Sequence, residues 1–368
     1  MTILQYIASP FWGGGEQYIF DLSIALQAQF DTRTVFVCQP GTPASMMERL
    51  QQVGAVYSLH PATKNGKFSY QEAFLLAAIM HREEVDVLHV HDMKDYFLCA
   101  YAKLFCRRKI RLVATRHIIS EAKDKASWRW VYRRIDAMLF VSQKAADAFL
   151  HKEAVKRAFR SVQVVHNSIR IPDETTETPS LRTQFDIAPS LPLVLYHGRI
   201  CREKGIIQLL EALAPSFSRK YAVVLAGVVD EEVQPALDEL MNHSPMAGFI
   251  YPIGFRRDIT SLIGQCQLGV LPSIVPEAGG PLTLLEHLAL GSAVIASDNG
   301  SQPEYAENGK EAVLLPPEDY PAWEKAIEEL IGDEEKAKRI AANARKRYLR
   351  DFTYSQFINR MYGIYTNA

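Results

Sequence analysis

Short apolar runs alternate along the chain with longer stretches whose apolar residues recur every three or four positions. Residues 2–8, 34–38, 85–90, 111–114, 137–141 and 161–165 predict strands. Residues 16–29, 43–53, 70–82, 96–105, 125–134 and 143–150 predict helices between them. In the first helix, Tyr18, Ile19, Leu22, Ile24, Ala25 and Leu26 form a broad apolar stripe. Strands that are apolar throughout and alternate with helices indicate a mostly parallel sheet, covered on both faces.

Residues 169–191 break this rhythm, with prolines at 172, 179, 189 and 192 among acids and threonines. Such a stretch predicts an interdomain linker, placed at 171–190. The pattern then restarts. Strands are expected at 193–197, 222–226, 268–271 and 293–296, and helices at 203–213, 231–241, 281–289, 320–330, 334–349 and 354–362. The expected fold class is α/β, with two Rossmann-like domains at 1–170 and 191–350. Open α/β sheets bind ligands beyond the carboxyl ends of their strands. For two such domains the natural site is a cleft between them.

The 368-residue length fits two domains, since single cores stop growing near about 250–300 residues. A hydrophobic fraction of 48% with 23% charged residues excludes a disordered chain. No run of about 18 apolar residues predicts a membrane span. The first residues lack a basic leader and read as a strand. The odd, scattered set Cys38, Cys99, Cys106, Cys201 and Cys266 fits reduced thiols in a cytoplasmic protein. The net charge of −1 hides an asymmetry: residues 1–170 carry a balance of +8 and residues 171–368 one of −9. The first half is therefore expected to meet something anionic.

Four motifs carry candidate chemistry. Gly13-Gly14-Gly15-Glu16 follows the first strand and opens the first helix. There, backbone amides can approach a phosphate or sugar closely, or the glycines can simply form a tight turn. The dinucleotide fingerprint is incomplete, because Tyr18 stands where its last glycine would fall. Arg199 and Lys204 flank a strand-to-helix turn. They suit a diphosphate, though a solvated basic turn reads the same way. Glu277 and Glu286 bracket Gly279-Gly280-Pro281 at the start of a helix. Glu286 precedes apolar Leu288, Ala289 and Leu290, which favours a partly buried carboxylate in need of a partner. His89 and His91 share one face of a strand end. They read as lining a cleft, with a metal site as the lesser alternative.

In order and spacing these pieces resemble the retaining glycosyltransferases of family 4, over almost the whole chain. The resemblance runs through Gly13–Glu16, His89-Val90-His91-Asp92, Thr115-Arg116-His117, Val141-Ser142, His166-Asn167-Ser168, Arg199 with Lys204, Glu286 through Ser297, and Asn299 through Glu304. It departs from the family in having eight residues between Glu277 and Glu286 instead of seven. It also has His166 and Ser168 in place of a proline and a glycine.

The resemblance implies the two-domain GT-B fold, with a C-terminal segment at 351–368 packing on the first domain. It implies transfer of a sugar from a nucleotide-diphosphate donor to a glycan or lipid-linked acceptor hydroxyl, with retention, in surface polysaccharide or lipopolysaccharide synthesis. Arg199 and Lys204 would neutralise the diphosphate. Glu286 would hold the ribose, and Glu277 the donor sugar. Amides of Gly279, Gly280, Leu282 and Thr283 would complete the anion site. His117 would sit beside the donor sugar, and Gly14 and Gly15 beside phosphate or acceptor. No Asp-x-Asp occurs, so no metal or other cofactor is expected. A silent GT-B binding subunit and a GT-B nucleotide-sugar 2-epimerase are the competing readings.

The segments 103–111 and 123–134 mix cations with Trp128, Trp130 and Tyr132. They are expected either to touch an anionic membrane peripherally at its cytoplasmic face or to form a solvated helix edge over core aromatics. Nucleic acid is not expected as a partner, since no helix-turn-helix or zinc-finger pattern is present.

Overall fold

The computed structural model describes residues 1–7, 12–39, 41–59, 69–171, 178–279 and 282–366. The chain divides into two compact units, 1–166 with 354–368, and 167–353.

Unit 1 contains β1 (Thr2–Ile7), β2 (Arg33–Cys38), β3 (Ala55–Ser58), β4 (Val87–Val90), β5 (Arg111–Arg116), β6 (Ala137–Phe140) and β7 (Val162–Val164). They form one parallel sheet in the order β3-β2-β1-β4-β5-β6-β7. Every residue of β1, β4 and β6 is buried, as strands covered on both faces require. Strand order reverses between β1 and β4, and the crevice of such a sheet opens beyond their carboxyl ends. The helix Gly14–Phe30 leaves β1 at this point. The last helix, Tyr354–Thr366, belongs to unit 1 and buries Phe357, Ile358, Met361, Ile364 and Tyr365. Its Tyr362 stacks on Phe30 at 3.8 Å, and Ile364 O accepts from Arg111 Nε at 2.8 Å. These contacts tie the helix to the first helix and to β5.

Unit 2 contains β8 (Leu193–His197), β9 (Ala222–Ala226), β10 (Ile250–Gly254), β11 (Leu268–Leu271), β12 (Val294–Ser297) and β13 (Val313–Leu315). The sheet is again parallel, in the order β10-β9-β8-β11-β12-β13, with its reversal between β8 and β11. The helices Ile206–Leu213 and Leu282–Leu290 follow those two central strands.

The structure differs from the sequence expectation at the linker. Its described part, 178–190, folds onto unit 2 because it carries apolar anchors. Leu181 and Ile187 are buried against Leu193 and Leu195, and Arg182 donates to the carbonyls of Ala188 and Leu191. Residues 172–177 lie outside the described residues, as does Ala8 at the end of the first expected strand. Strands β3, β10 and β13 are additional to those expected. All three are sheet edges and only partly buried.

Candidate active site

In unit 2 the reversal point assembles around two turns. After β8, Gly198 takes φ +134° and Gly205 φ +71°, conformations that side chains rarely adopt. A Cβ on Gly205 would lie 2.1 Å from Pro272 O, so the turn after β8 packs directly on the loop after β11. The amides of Ile274 and Val275 donate to Glu203 O across this contact. The result is a short ion pair, Lys204 Nζ to Glu277 Oε1 at 2.8 Å. Ser273 Oγ donates to the same oxygen at 2.6 Å. Arg199 is exposed beside them and shared loosely between Glu203 at 3.8 Å and Asp230 at 3.7 Å.

The Glu277 loop is braced from below. Asn299 Nδ2 donates to the carbonyls of Ser273 and Ile274, and the Ser301 amide donates to Glu277 O. Gly300 takes φ +56°, and a Cβ there would lie 2.5 Å from both Glu277 N and O. Gly279 O accepts from Asn167 Nδ2 at 3.1 Å and Tyr305 Oη at 2.9 Å. Gly280 and Pro281 lie outside the described residues. Leu282 begins the following helix, and Thr283 in its first turn stands beside Gly198.

Glu286 sits one turn further along. Burial raises its carboxyl to about 7. Its Oε2 lies 3.4 Å from Nδ1 of His197, whose own pKa burial lowers to about 4. A neutral imidazole therefore faces a carboxyl that titrates near neutrality. Gly269 leaves room for His287 behind them: a Cβ there would fall 2.3 Å from the ring. His287 Nδ1 in turn bonds Ser292 Oγ. Arg199, Lys204, Glu277, Gly279, Thr283 and Glu286 are thus gathered on one unit, on the loops and the helix that follow its central strands.

Unit 1 carries the other candidates. Gly13 N donates to Glu16 Oε2 at 2.9 Å, so the first helix is capped by its own carboxylate. Nothing lies within 4 Å of where a Cβ would stand on Gly14 or Gly15. Gly15, Glu16, His91, Asp92, Lys94 and His117 line a pocket of about 410 Å³. Burial lowers the pKa of His117 to about 4, and the nearby Arg116 charge adds to this. His91 Nδ1 and His117 Nε2 are 3.1 Å apart. His89 lies against His91 but spends its ring nitrogens elsewhere. Its ring nitrogens bond Tyr365 Oη and Thr115 Oγ1, each at 2.7 Å.

Two family models match consecutive parts of the chain: Glycosyltransferase Family 4 over residues 12–171 and Glycosyl transferases group 1 over residues 177–347. The chain belongs to this glycosyltransferase family. It is similar to an alpha-D-kanosaminyltransferase of Streptomyces kanamyceticus, 28% identical over 248 residues. That alignment spans 65% of this chain and 63% of the relative, so under two thirds of the relative's length is matched. Among solved structures, a glycosyltransferase from Rickettsia africae superposes with TM-score 0.85 at 19% identity, covering 100% of this chain and 98% of the other. HepE of Anabaena in complex with UDP superposes with TM-score 0.79 at 21% identity, covering both chains fully. The fold is the two-domain Rossmann-like GT-B fold.

Several residues of this site are not singled out by the sequence. His197 closes an apolar strand, the one signal the sequence carries for it, and its neighbour Glu286 comes from a distant helix. Asn167, Asn299 and Gly300 enter the sequence pattern only as family landmarks, yet they brace the loop that carries Glu277. Ser273 carries no motif of its own although its partner Glu277 lies in the same loop, and Tyr305 gives no signal because its partners Gly279 and Asn167 come from loops distant in sequence. At the expected anion cradle, the Gly279 carbonyl is taken up by Asn167 and Tyr305, which fixes the orientation of that peptide.

Proposed function

We propose that the chain is a retaining glycosyltransferase that moves a sugar from a nucleotide-diphosphate donor to an acceptor hydroxyl without a bridging metal. The Lys204–Glu277 pair at the strand reversal of unit 2, with Arg199 beside it, carries this reading. A partly buried lysine held by a single carboxylate oxygen can turn to an arriving diphosphate, and Arg199 adds a planar fork to the same anion. Glu286 accepts from the ribose hydroxyls, with His197 behind it.

In the reaction the bond from the anomeric carbon to the diphosphate oxygen breaks as the acceptor oxygen bonds to that carbon. The acceptor proton passes to the departing diphosphate oxygen on the same face. Arg199 and Lys204 stabilise the charge that develops there, the kind of electrostatic effect that dominates such steps. The two cations do for the diphosphate what a divalent ion does elsewhere. In unit 1, Glu16 already serves the amide of Gly13, so the open turn at Gly14 and Gly15 suits an acceptor's hydroxyls better than a phosphate.

The acceptor we favour is a surface glycan or lipid-linked sugar. The exposed Phe74, Leu75 and Leu104 beside the cations of 103–111 support peripheral contact with an anionic membrane. No helix among the described residues is long and apolar enough to cross one. Sedimentation with anionic and with neutral vesicles tests this contact, and equal binding to both removes it.

The deciding experiment is thermal stabilisation by UDP, GDP, ADP and CMP in EDTA, on the wild type and on Glu286→Ala and Lys204→Ala. A ligand at about 100 times its Kd adds about 2.7 kcal/mol. One nucleoside diphosphate should raise the Tm of the wild type, and both variants should lose the effect. No shift with any nucleotide would favour a silent binding subunit, and donor isomerisation without acceptor would favour an epimerase.

A further inference from the structure

Unit 1 contains a hydrogen-bonded row that the donor chemistry leaves unused. Gln5, fully buried on β1, places Oε1 2.9 Å from His91 Nε2. His91 Nδ1 in turn lies 3.1 Å from His117 Nε2. The rings are held in place by their neighbours. Tyr18 meets both edge-on at 5.1 and 6.2 Å, and His89 lies 4.0 Å from His91.

Hydrogen-bond inventory sets the direction of the row. A carbonyl oxygen of Gln5 accepts only, so His91 Nε2 carries its hydrogen. A neutral imidazole then has a lone pair on Nδ1, which must accept from His117 Nε2–H. That leaves His117 with a bare Nδ1. We propose that Gln5 and His91 are positioning residues that hold His117 as the Nε2–H tautomer, so that its Nδ1 presents an acceptor to a sugar hydroxyl in this pocket. The sugar in this statement rests on the transferase reading; the tautomer does not.

A substrate preference follows. A lone pair on Nδ1 takes a hydroxyl hydrogen and repels a carboxylate or phosphate oxygen in the same place. The carboxylates of Asp92 and Glu16 line the same pocket, and the Lys94 ammonium lies 3.7 Å from Asp92. The pocket thus suits a hexose with a free hydroxyl over the corresponding uronic acid.

Long-range ¹⁵N–¹H NMR of the histidine rings in the full-length protein reads the tautomers directly. The expected result at neutral pH is protonated Nε2 and bare Nδ1 on both His91 and His117. Protonated Nδ1 on His117, or an imidazolium, would overturn the proposal whatever the fate of Gln5 variants. Gln5→Leu removes the terminal acceptor; it should mix the tautomers and lower kcat/KM about tenfold. Unchanged ring signals and turnover in Gln5→Leu would also overturn it. If no donor is turned over by any form, the transferase reading fails while the tautomer result still stands.

Discussion

Lys204 Nζ lies 2.8 Å from Glu277 Oε1, and the two side chains arise from turns after different strands, β8 and β11. Both are partly exposed, at 31% and 22%, so the pair itself contributes little to stability, about 1 kcal/mol or less. Its geometric consequence is larger, because it holds a mobile cation at the strand reversal. Lys204→Ala should therefore lower kcat/KM about 10²- to 10³-fold while shifting the unfolding free energy by no more than about 1 kcal/mol. Steady-state kinetics beside urea unfolding tests this. A large stability loss with proportionate activity loss would make the lysine structural.

Glu286 sets a pH dependence for nucleotide binding. Burial raises its carboxyl to about 7, and ribose hydroxyls donate to the ionised form. Nucleotide affinity should thus fall as pH drops below about 7, approaching tenfold per pH unit. In the free protein the sign is reversed. An acid whose folded pKa is raised contributes stability below its ordinary value, and that contribution is lost as pH rises through about 7. Calorimetric titration at pH 8, 7 and 6 should show the decline in the wild type and a weak, flat response in Glu286→Gln. A flat wild-type response would remove Glu286 from the ribose.

Two glycines separate space needed by the fold from space left open. Gly205 takes φ +71°, with Pro272 O where a Cβ would go, so Gly205→Ala strains the backbone and separates the two turns. It should cost at least about 1–3 kcal/mol and with it the Lys204–Glu277 pair. Gly14 opens the first helix with nothing in the way of a Cβ. Gly14→Ala should be neutral or stabilising by up to about 1 kcal/mol, yet raise KM for an acceptor that approaches the backbone. Melting curves and acceptor KM for both variants check the contrast. An unchanged acceptor KM in Gly14→Ala would leave the glycine as turn chemistry only.

The central strands were readable because burial on both faces leaves mostly apolar residues in them, as in 193–196 and Ala222–Ala226. The edges were not. Ala55–Ser58 is half exposed, Ile250–Gly254 contains Pro252, and Val313–Leu315 is three residues long; none of them has a period to detect. Arg199, Lys204, Glu277 and Glu286 were legible from their places at the ends of strands and the start of a helix. That Lys204 is already engaged by Glu277 was not, because the pairing depends on the contact between Gly205 and Pro272 across the sheet. Gln5 was invisible for a related reason. A single glutamine in an apolar strand shows which face it occupies only when its partner His91, 86 residues away, is known.

Acid should unfold the protein early, because it buries several histidines in neutral form. His117 and His197 have pKa values lowered to about 4, and burial puts His89, His91 and His287 well below the ordinary imidazole range. For such a base the unfolded chain takes up a proton that the folded chain refuses. The stability it contributes is complete above the ordinary value of about 6.5 and is lost as pH falls toward the folded value. Each fully buried ring adds up to about 1.4 kcal/mol per pH unit in that window. Asp95 and Glu286, both raised to about 7 by burial, act in the opposite direction. The histidines outnumber them, and protonating His89 would turn both of its ring nitrogens into donors, so that the hydroxyls of Tyr365 and Thr115 would both have to accept. The melting temperature should therefore fall steadily from pH 7 to pH 5. A Tm that is flat or rising over that range would mean that these rings take up protons without unfolding the chain.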